Sequence, residues 1–136
     1  MIKEIKIFSE WEAKEKVPHM GDIALISIVD KGAKSIEWPS NVKELFSMKF
    51  DDTDNSIIDA SPKERSFKGL KEFIDNVTSE TIVVHCYAGI SRSSAVAAAL
   101  GEYLNIKQKI WTNKRYDPNL LVYELTKQEL FNGNLV

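Results

Sequence analysis

A β-rich and nearly all apolar segment, residues 22–29 (DIALISIV), is the feature that most limits how this chain can fold. A strand with no polar alternation is typical of a parallel sheet that is covered on both faces. Residues 81–85 (TIVVH) form a second buried strand of the same kind. Residues 2–8 and 46–50 alternate apolar with polar side chains, as half-buried strands do.

Helical patterns separate these strands. Ser9 and Glu12 have the spacing of a capping box, which predicts a brief helix to about Lys16. Three longer helices are predicted: one that begins at Ser61-Pro62-Lys63-Glu64 and buries Phe67, Leu70, Ile74 and Val77, one from Ser93, and one from Asp117-Pro118 to about Phe131, ended by Asn132-Gly133. The alternation predicts an α/β fold with a central, mostly parallel, twisted sheet of about four to five strands flanked by helices.

Length and composition exclude several classes of protein. The 136 residues predict a single domain, 1–136, and 43% hydrophobic with 28% charged residues is the composition of a globular chain. No apolar run approaches the roughly 18 residues of a membrane span, and a net charge of −2 offers no field for nucleic acid. One cysteine and two histidines make neither an internal disulfide nor a tetrahedral zinc site. We expect a cytoplasmic protein, with a monomer favoured, that needs no metal or cofactor.

The segment between the TIVVH strand and the next helix, residues 85–93 (HCYAGISRS), has the features of an anion-binding site, and we call it the signature loop. Loops at this position bind ligands in open α/β sheets, and their N–H groups can converge on an anion with help from the helix dipole. Gly89 supplies the backbone freedom of a tight turn. Arg92 adds a fork that matches two phosphoryl oxygens. Positive potential at Cys86 favours the thiolate, which is a nucleophile for phosphorus.

Each of these residues has an ordinary alternative role. A lone cysteine after a strand is most often a small buried hydrophobe, and an arginine six positions later is usually at the surface. The combination of strand, glycine turn, arginine, hydroxyl and helix favours the anion site. A nucleotide-binding P-loop is excluded, because the sequence has no G-x-x-x-x-G-K-[ST].

Residues 85–93 also match the H-C-x5-R-S/T signature of cysteine-dependent protein tyrosine phosphatases. The form HCxAGISRS resembles the dual-specificity branch of that superfamily. Arg115…Pro118-Asn119 is similar to the R-x-x-x-P-N element near the C-terminus of such domains. The resemblance covers residues 22 to about 130 and implies a compact phosphatase fold.

The resemblance implies a role for each residue of the signature. Cys86 would attack phosphorus and form a cysteinyl-phosphate. The phosphate loop, comprising the N–H groups of Tyr87, Ala88, Gly89, Ile90, Ser91 and Arg92 with the Arg92 side chain, would hold the phosphoryl oxygens. Ser93 would hydrogen-bond the departing thiolate, and His85 would brace the loop without transferring protons.

The resemblance also implies a general acid, an aspartate on a loop roughly thirty-odd residues before the cysteine. Three aspartates are candidates: Asp51, Asp52 and Asp54. Spacing favours Asp54, whereas the local pattern around Phe50-Asp51-Asp52-Thr53 resembles the strand-end segment of some dual-specificity members and favours Asp52. Asp52 is our prediction for the acid, and the other two are alternatives.

The expected substrate is a singly phosphorylated protein or peptide side chain. The loop carries no lysine, which family members acting on phosphoinositides or RNA ends tend to have, although His19, Lys43 or Lys114 could supply charge from elsewhere. A short chain implies a shallow pocket that admits phosphoserine and phosphothreonine as well as phosphotyrosine. Two alternatives remain: a phosphopeptide-binding pseudophosphatase, and a sulfurtransferase or arsenate reductase-like enzyme.

Overall fold

The computed structural model describes residues 1–132 and contains one four-stranded sheet. Its strands are β1 (Glu4–Ser9), β2 (Ile23–Val29), β3 (Val42–Lys49) and β4 (Thr81–Cys86). They lie in the order β1-β4-β2-β3, and each neighbouring pair is parallel. The predicted fold class, a mostly parallel sheet of about four to five strands flanked by helices, is therefore confirmed.

In the described part of the chain, four α-helices connect or flank the strands: α1 (Glu10–Lys16), α2 (Leu70–Asp75), α3 (Arg92–Leu104) and α4 (Leu120–Lys127). Short 3₁₀ segments occupy Val17–His19 and Glu64–Phe67, and a π-helical turn at Gln128–Asn132 extends α4. The capping box predicted at the start of α1 is present, since Ser9 and Glu12 exchange their two hydrogen bonds. Within residues 1–132, no helix has both the length and the apolar character to cross a membrane.

The central strand β2 is buried along its whole length because both faces of the sheet are covered. Ala24, Ile26 and Ile28 point into the larger core with residues of α2, α3 and α4. Ile23 and Leu25 point to the other face, where α1 and Trp38 cover them. This two-sided cover explains why DIALISIV has no polar alternation.

The third strand starts four residues earlier than its pattern predicted, at Val42. Glu44 interrupts the hydrophobic alternation because its side chain lies on the partly buried face, while Leu45 is 45% exposed. The Glu44 carboxylate accepts hydrogen bonds from Thr78 and Ser79, just before β4. An inward carboxylate with its own donors is compatible with a strand, but sequence periodicity does not reveal those donors.

The single helix predicted from Ser61 is wrong: the structure has a 3₁₀ turn and then α2. Gly69 separates them with a left-handed φ of +90°, which ends one helical segment before the next begins. The last helix starts later than predicted, with Asn119 as its N-cap. Its predicted stop signal includes Gly133, which lies outside the described residues. The first strand is shifted to Glu4–Ser9, where it pairs with β4.

Candidate active site

The carboxyl ends of β2, β3 and β4 meet at one edge of the sheet because all three strands are parallel. The segments that follow these ends enclose an open cleft of about 330 Å³. It is lined by Asp30, Asp51, Asp52, Cys86, Tyr87, Ala88, Ser91 and Arg92. The structure thus brings the signature loop and two of the three candidate acids to one cleft.

The signature loop turns tightly at Gly89. This residue has a φ of +72° and donates its N–H to Cys86 Sγ at 3.3 Å. A Cβ atom here would lie 2.6 Å from the backbone nitrogen of Ser9 at the end of β1. Glycine is therefore required here for two reasons: the backbone is left-handed, and a neighbouring strand approaches too closely for a side chain.

Cys86 is the last residue of β4 and is 2% exposed. Its sulfur lies 3.1 Å from Ser93 Oγ, in the first turn of α3. Together with the Gly89 N–H, this hydroxyl places two hydrogen-bonding groups around the sulfur.

Arg92 is the first residue of α3 and is only 4% exposed. Its Nη1 donates to Asp30 Oδ1 and to the Phe50 carbonyl oxygen, each at 2.8 Å. Its Nε is buried and has no hydrogen-bond partner among the described residues. One nitrogen of the guanidinium is thus held by the residues that directly follow β2 and β3, while Nε has no partner in the part of the chain that the structure describes.

His85 lies behind the loop, on the buried part of β4. Its Nε2 is 2.7 Å from Ser27 Oγ, and its ring lies 5.2 Å from that of Trp38. Burial lowers the pKa of His85 below its ordinary value of 6.5, against a smaller opposite effect of the Cys86 carbonyl. A neutral imidazole bonded to Ser27 fits a bracing position.

The three candidate acids have different surroundings. Asp52 lines the cleft, and its Oδ1 accepts hydrogen bonds from Ser91 Oγ at 2.9 Å and Asn119 Nδ2 at 3.0 Å. Asp51 also lines it, but its Oδ1 accepts the backbone N–H of Lys31 at 3.1 Å. Asp54 lines a neighbouring groove with Asp52 and does not line the Cys86 cleft. These positions favour Asp52, which stays a prediction.

The remaining loop residues divide between cleft and surface. Tyr87 and Ala88 line the cleft, with Tyr87 72% exposed at its rim, while Ile90 is 42% exposed and does not line it. None of the more distant basic residues considered from sequence, His19, Lys43 and Lys114, lines the cleft in the part of the chain that is described.

Within residues 1–132, no cluster of three or more histidine, cysteine, aspartate or glutamate side chains could hold a metal ion.

Sequence reasoning missed Asp30, whose carboxylate holds Arg92 from 62 positions away. Asp30 directly follows the buried strand β2, just as the signature follows β4. That shared position at the carboxyl end of a parallel strand was the signal that could have identified it. Asn119 was noted only as part of a motif, without its contact to Asp52.

Comparison with known proteins shows the fold. No protein-family model matches the sequence, and no curated protein matches it. The crystal structure of human tyrosine phosphatase-like serine/threonine/tyrosine-interacting protein is similar at 22% identity with a TM-score of 0.66, covering 97% of this chain and 93% of that chain. The crystal structure of DUSP15 is similar at 17% identity with a TM-score of 0.64, covering 95% and 84%. The chain has the fold of dual-specificity phosphatase-like proteins, as the signature predicted.

Proposed function

We propose that this protein is a phosphomonoesterase that removes phosphate from phosphotyrosine, and also from phosphoserine and phosphothreonine, through a cysteinyl-phosphate. The observation that carries this proposal is the buried Nε of Arg92, which has no hydrogen-bond partner among residues 1–132 and belongs to a side chain that lines the same cleft as Cys86. Because Nη1 is occupied by Asp30 and the Phe50 carbonyl, the Nε–Nη2 edge of the fork remains for two phosphoryl oxygens. An unpaired buried donor costs about 1–3 kcal/mol, which a bound phosphate would recover.

In the first step, the thiolate of Cys86 attacks phosphorus. The S–P bond forms while the ester P–O bond breaks, and the electron pair of that bond goes to the leaving oxygen. Asp52 gives its proton to this oxygen, so that an alcohol or phenol departs. Arg92 and the loop N–H groups stabilise the charge that spreads over the equatorial oxygens.

In the second step, water attacks the phosphorus of the cysteinyl-phosphate. The Asp52 carboxylate accepts a proton from this water, and the S–P bond breaks to release inorganic phosphate. The electron pair returns to sulfur, where the Ser93 hydroxyl at 3.1 Å donates to the re-formed thiolate. The cycle leaves the enzyme as it began and consumes one water.

The cleft supports a singly phosphorylated side chain on a protein or peptide. Its mouth carries the carboxylates of Asp30, Asp51 and Asp52, and Arg92 is the one cation that lines it within residues 1–132. A substrate with several phosphates would meet repulsion there without a compensating lysine. The exposed Tyr87 at the rim offers an aromatic surface to a phosphotyrosine ring or to the neighbouring peptide.

The test is turnover of p-nitrophenyl phosphate by the purified full chain, with a chelator present. We expect the wild-type protein to be active and Cys86→Ser to have well below about a tenth of the wild-type activity. Serine keeps the shape of the cysteine side chain, but its hydroxyl does not ionise there. The same variant should still bind inorganic phosphate. More than about a tenth of the activity in Cys86→Ser would overturn the covalent mechanism.

The same preparation separates the alternatives. Binding of a phosphopeptide without any turnover would instead favour the phosphopeptide-binding pseudophosphatase. Turnover of thiosulfate or arsenate without phosphatase activity would favour the sulfurtransferase or arsenate reductase class.

A further inference from the structure

Asn119 caps the last helix and is 8% exposed. Its Oδ1 accepts the N–H of Val122 at 3.1 Å, which is the usual contact of an N-cap side chain. Capping needs only an acceptor, and serine, threonine or aspartate would serve as well. The cap alone therefore does not explain an amide at this position.

The other half of the amide points away from the helix. Nδ2 donates to Asp52 Oδ1 and to the Thr53 carbonyl oxygen, each at 3.0 Å. The backbone N–H of Asn119 donates to the Ser91 carbonyl oxygen at 3.1 Å. One buried residue thus connects α4, the signature loop and the segment after β3, across 67 positions in the case of Asp52.

Both donors reach the same oxygen of Asp52. Ser91 Oγ lies 2.9 Å and Asn119 Nδ2 3.0 Å from Oδ1, while Oδ2 accepts no hydrogen bond from the described residues. An amide nitrogen always donates and has no lone pair to offer. A proton on Oδ1 would therefore face another donor, whereas a proton on Oδ2 would not.

We propose that Asn119 is a positioning residue for proton transfer: it reserves Oδ1 of Asp52 as an acceptor and so keeps the transferable proton on Oδ2. This inference rests on the proposed phosphatase function, with Asp52 as its acid. Ser91 assists, but its hydroxyl can rotate and can also accept. Asn119 is the fixed donor of the pair, and its Thr53 contact holds the backbone of the same segment.

The test compares two substrates in Asn119→Ser, which keeps a capping oxygen and removes the amide donor. With phosphotyrosine we expect kcat to fall about 10-fold, a part of the roughly 10²–10⁴-fold that a general acid contributes. With an aryl phosphate whose leaving group has a low pKa, kcat should stay within about twofold, since that group needs little protonation. Asn119→Asp, which also keeps the cap but cannot donate when ionised, should show the same selectivity if the serine variant unfolds.

A double variant supplies the readout that a merely structural role would not give. In an Asp52→Asn background, Asn119→Ser should cause no further loss with phosphotyrosine, because both changes remove the same proton transfer. The matched control is Thr126→Val, which removes the hydrogen bond from Thr126 to the Val122 carbonyl oxygen within α4 and none of the hydrogen bonds of Asp52 described above. It should leave the ratio of the two kcat values unchanged.

Equal slowing of both substrates, or losses that add in the double variant, would overturn the role of Asn119 and leave the phosphatase function standing. A wild-type protein that hydrolyses neither substrate would overturn both. An unchanged phosphotyrosine rate in folded Asn119→Ser would show that Ser91 alone orients Asp52 and would also overturn the inference.

Discussion

The sulfur of Cys86 and the hydroxyl oxygen of Ser93 lie 3.1 Å apart, and both side chains are buried. This contact joins the end of β4 to the first turn of α3. A hydroxyl held there can donate to sulfur whenever the sulfur carries charge. In the proposed cycle, this hydrogen bond matters most when the cysteinyl-phosphate breaks down, because sulfur is then the leaving group.

Replacing Ser93 with alanine should therefore slow the second step more than the first. A hydrogen bond to a charged group is worth about 1.5–3 kcal/mol, which corresponds to a loss of roughly 10- to 100-fold in kcat. Stopped-flow measurement with p-nitrophenyl phosphate should show a burst of about one equivalent of phenolate before slow turnover. The control is Ser94→Ala, since Ser94 donates to the Ile90 and Ser91 carbonyl groups and not to sulfur. A Ser93→Ala variant with a lower rate and no burst would contradict this account.

Arg92→Lys should reduce kcat/KM by about 10²-fold or more, comparable to the loss of one oxyanion donor. Lysine keeps the positive charge but has a single nitrogen. The guanidinium of Arg92 contacts Asp30 and the Phe50 carbonyl oxygen through Nη1 and keeps its Nε–Nη2 edge for the substrate, which one ammonium group cannot do. Steady-state kinetics with p-nitrophenyl phosphate measure the effect, and a thermal melt checks the fold. A near-normal Arg92→Lys would show that the guanidinium edge does not bind phosphate.

Asp52→Asn should slow phosphotyrosine hydrolysis strongly, within the roughly 10²–10⁴-fold range for a general acid, and barely affect an activated aryl phosphate. It should also remove the alkaline limb of the pH–rate profile and leave the acidic limb. Asp51→Asn and Asp54→Asn are the matched controls, because each removes a nearby carboxylate that lacks the Ser91 and Asn119 contacts. A selective loss of phosphotyrosine hydrolysis in Asp54→Asn, with Asp52→Asn near normal, would instead assign the role of general acid to Asp54. Retention of the alkaline limb in all three variants would place the acid outside this segment.

His85 should make the folded state sensitive to mild acid. Burial holds the pKa of His85 below 6.5 in the folded protein, while the unfolded chain regains the ordinary value. Between the two values the unfolded chain binds more protons, so the free energy of unfolding falls as pH drops below about 6.5 and levels off below the folded pKa. The slope from this residue is at most about 1.4 kcal/mol per pH unit.

Urea unfolding between about pH 7.5 and pH 5 measures this dependence. His85→Gln should lower the stability at neutral pH and remove the contribution of His85 to the slope. His19→Gln is the control, because His19 is exposed and leaves the buried ring in place. An identical slope in wild type and His85→Gln would show that His85 does not govern it.

Parts of the site and of the fold could be predicted from sequence because their contacts are short in range. Cys86 contacts both Gly89 and Ser93, which follow it within seven positions. The two-sided cover of β2 shows in its own composition, which fixes the strand as central in a parallel sheet. The start of β3 could not be predicted, since Glu44 tolerates its inward position only through Thr78 and Ser79, about 35 positions away.

Only the tertiary structure decided what surrounds the signature. Asp30 lies 62 positions before Arg92, and Asp52 lies 39 before Ser91. Such pairs leave no periodic pattern in a single sequence. They meet because parallel strands end at the same edge of the sheet, so that the segments after β2, β3 and β4 converge there. The sequence thus determined the signature loop of residues 85–93 and the kind of sheet that carries it, and the folded chain determined which carboxylate holds Arg92 and which side chains orient Asp52.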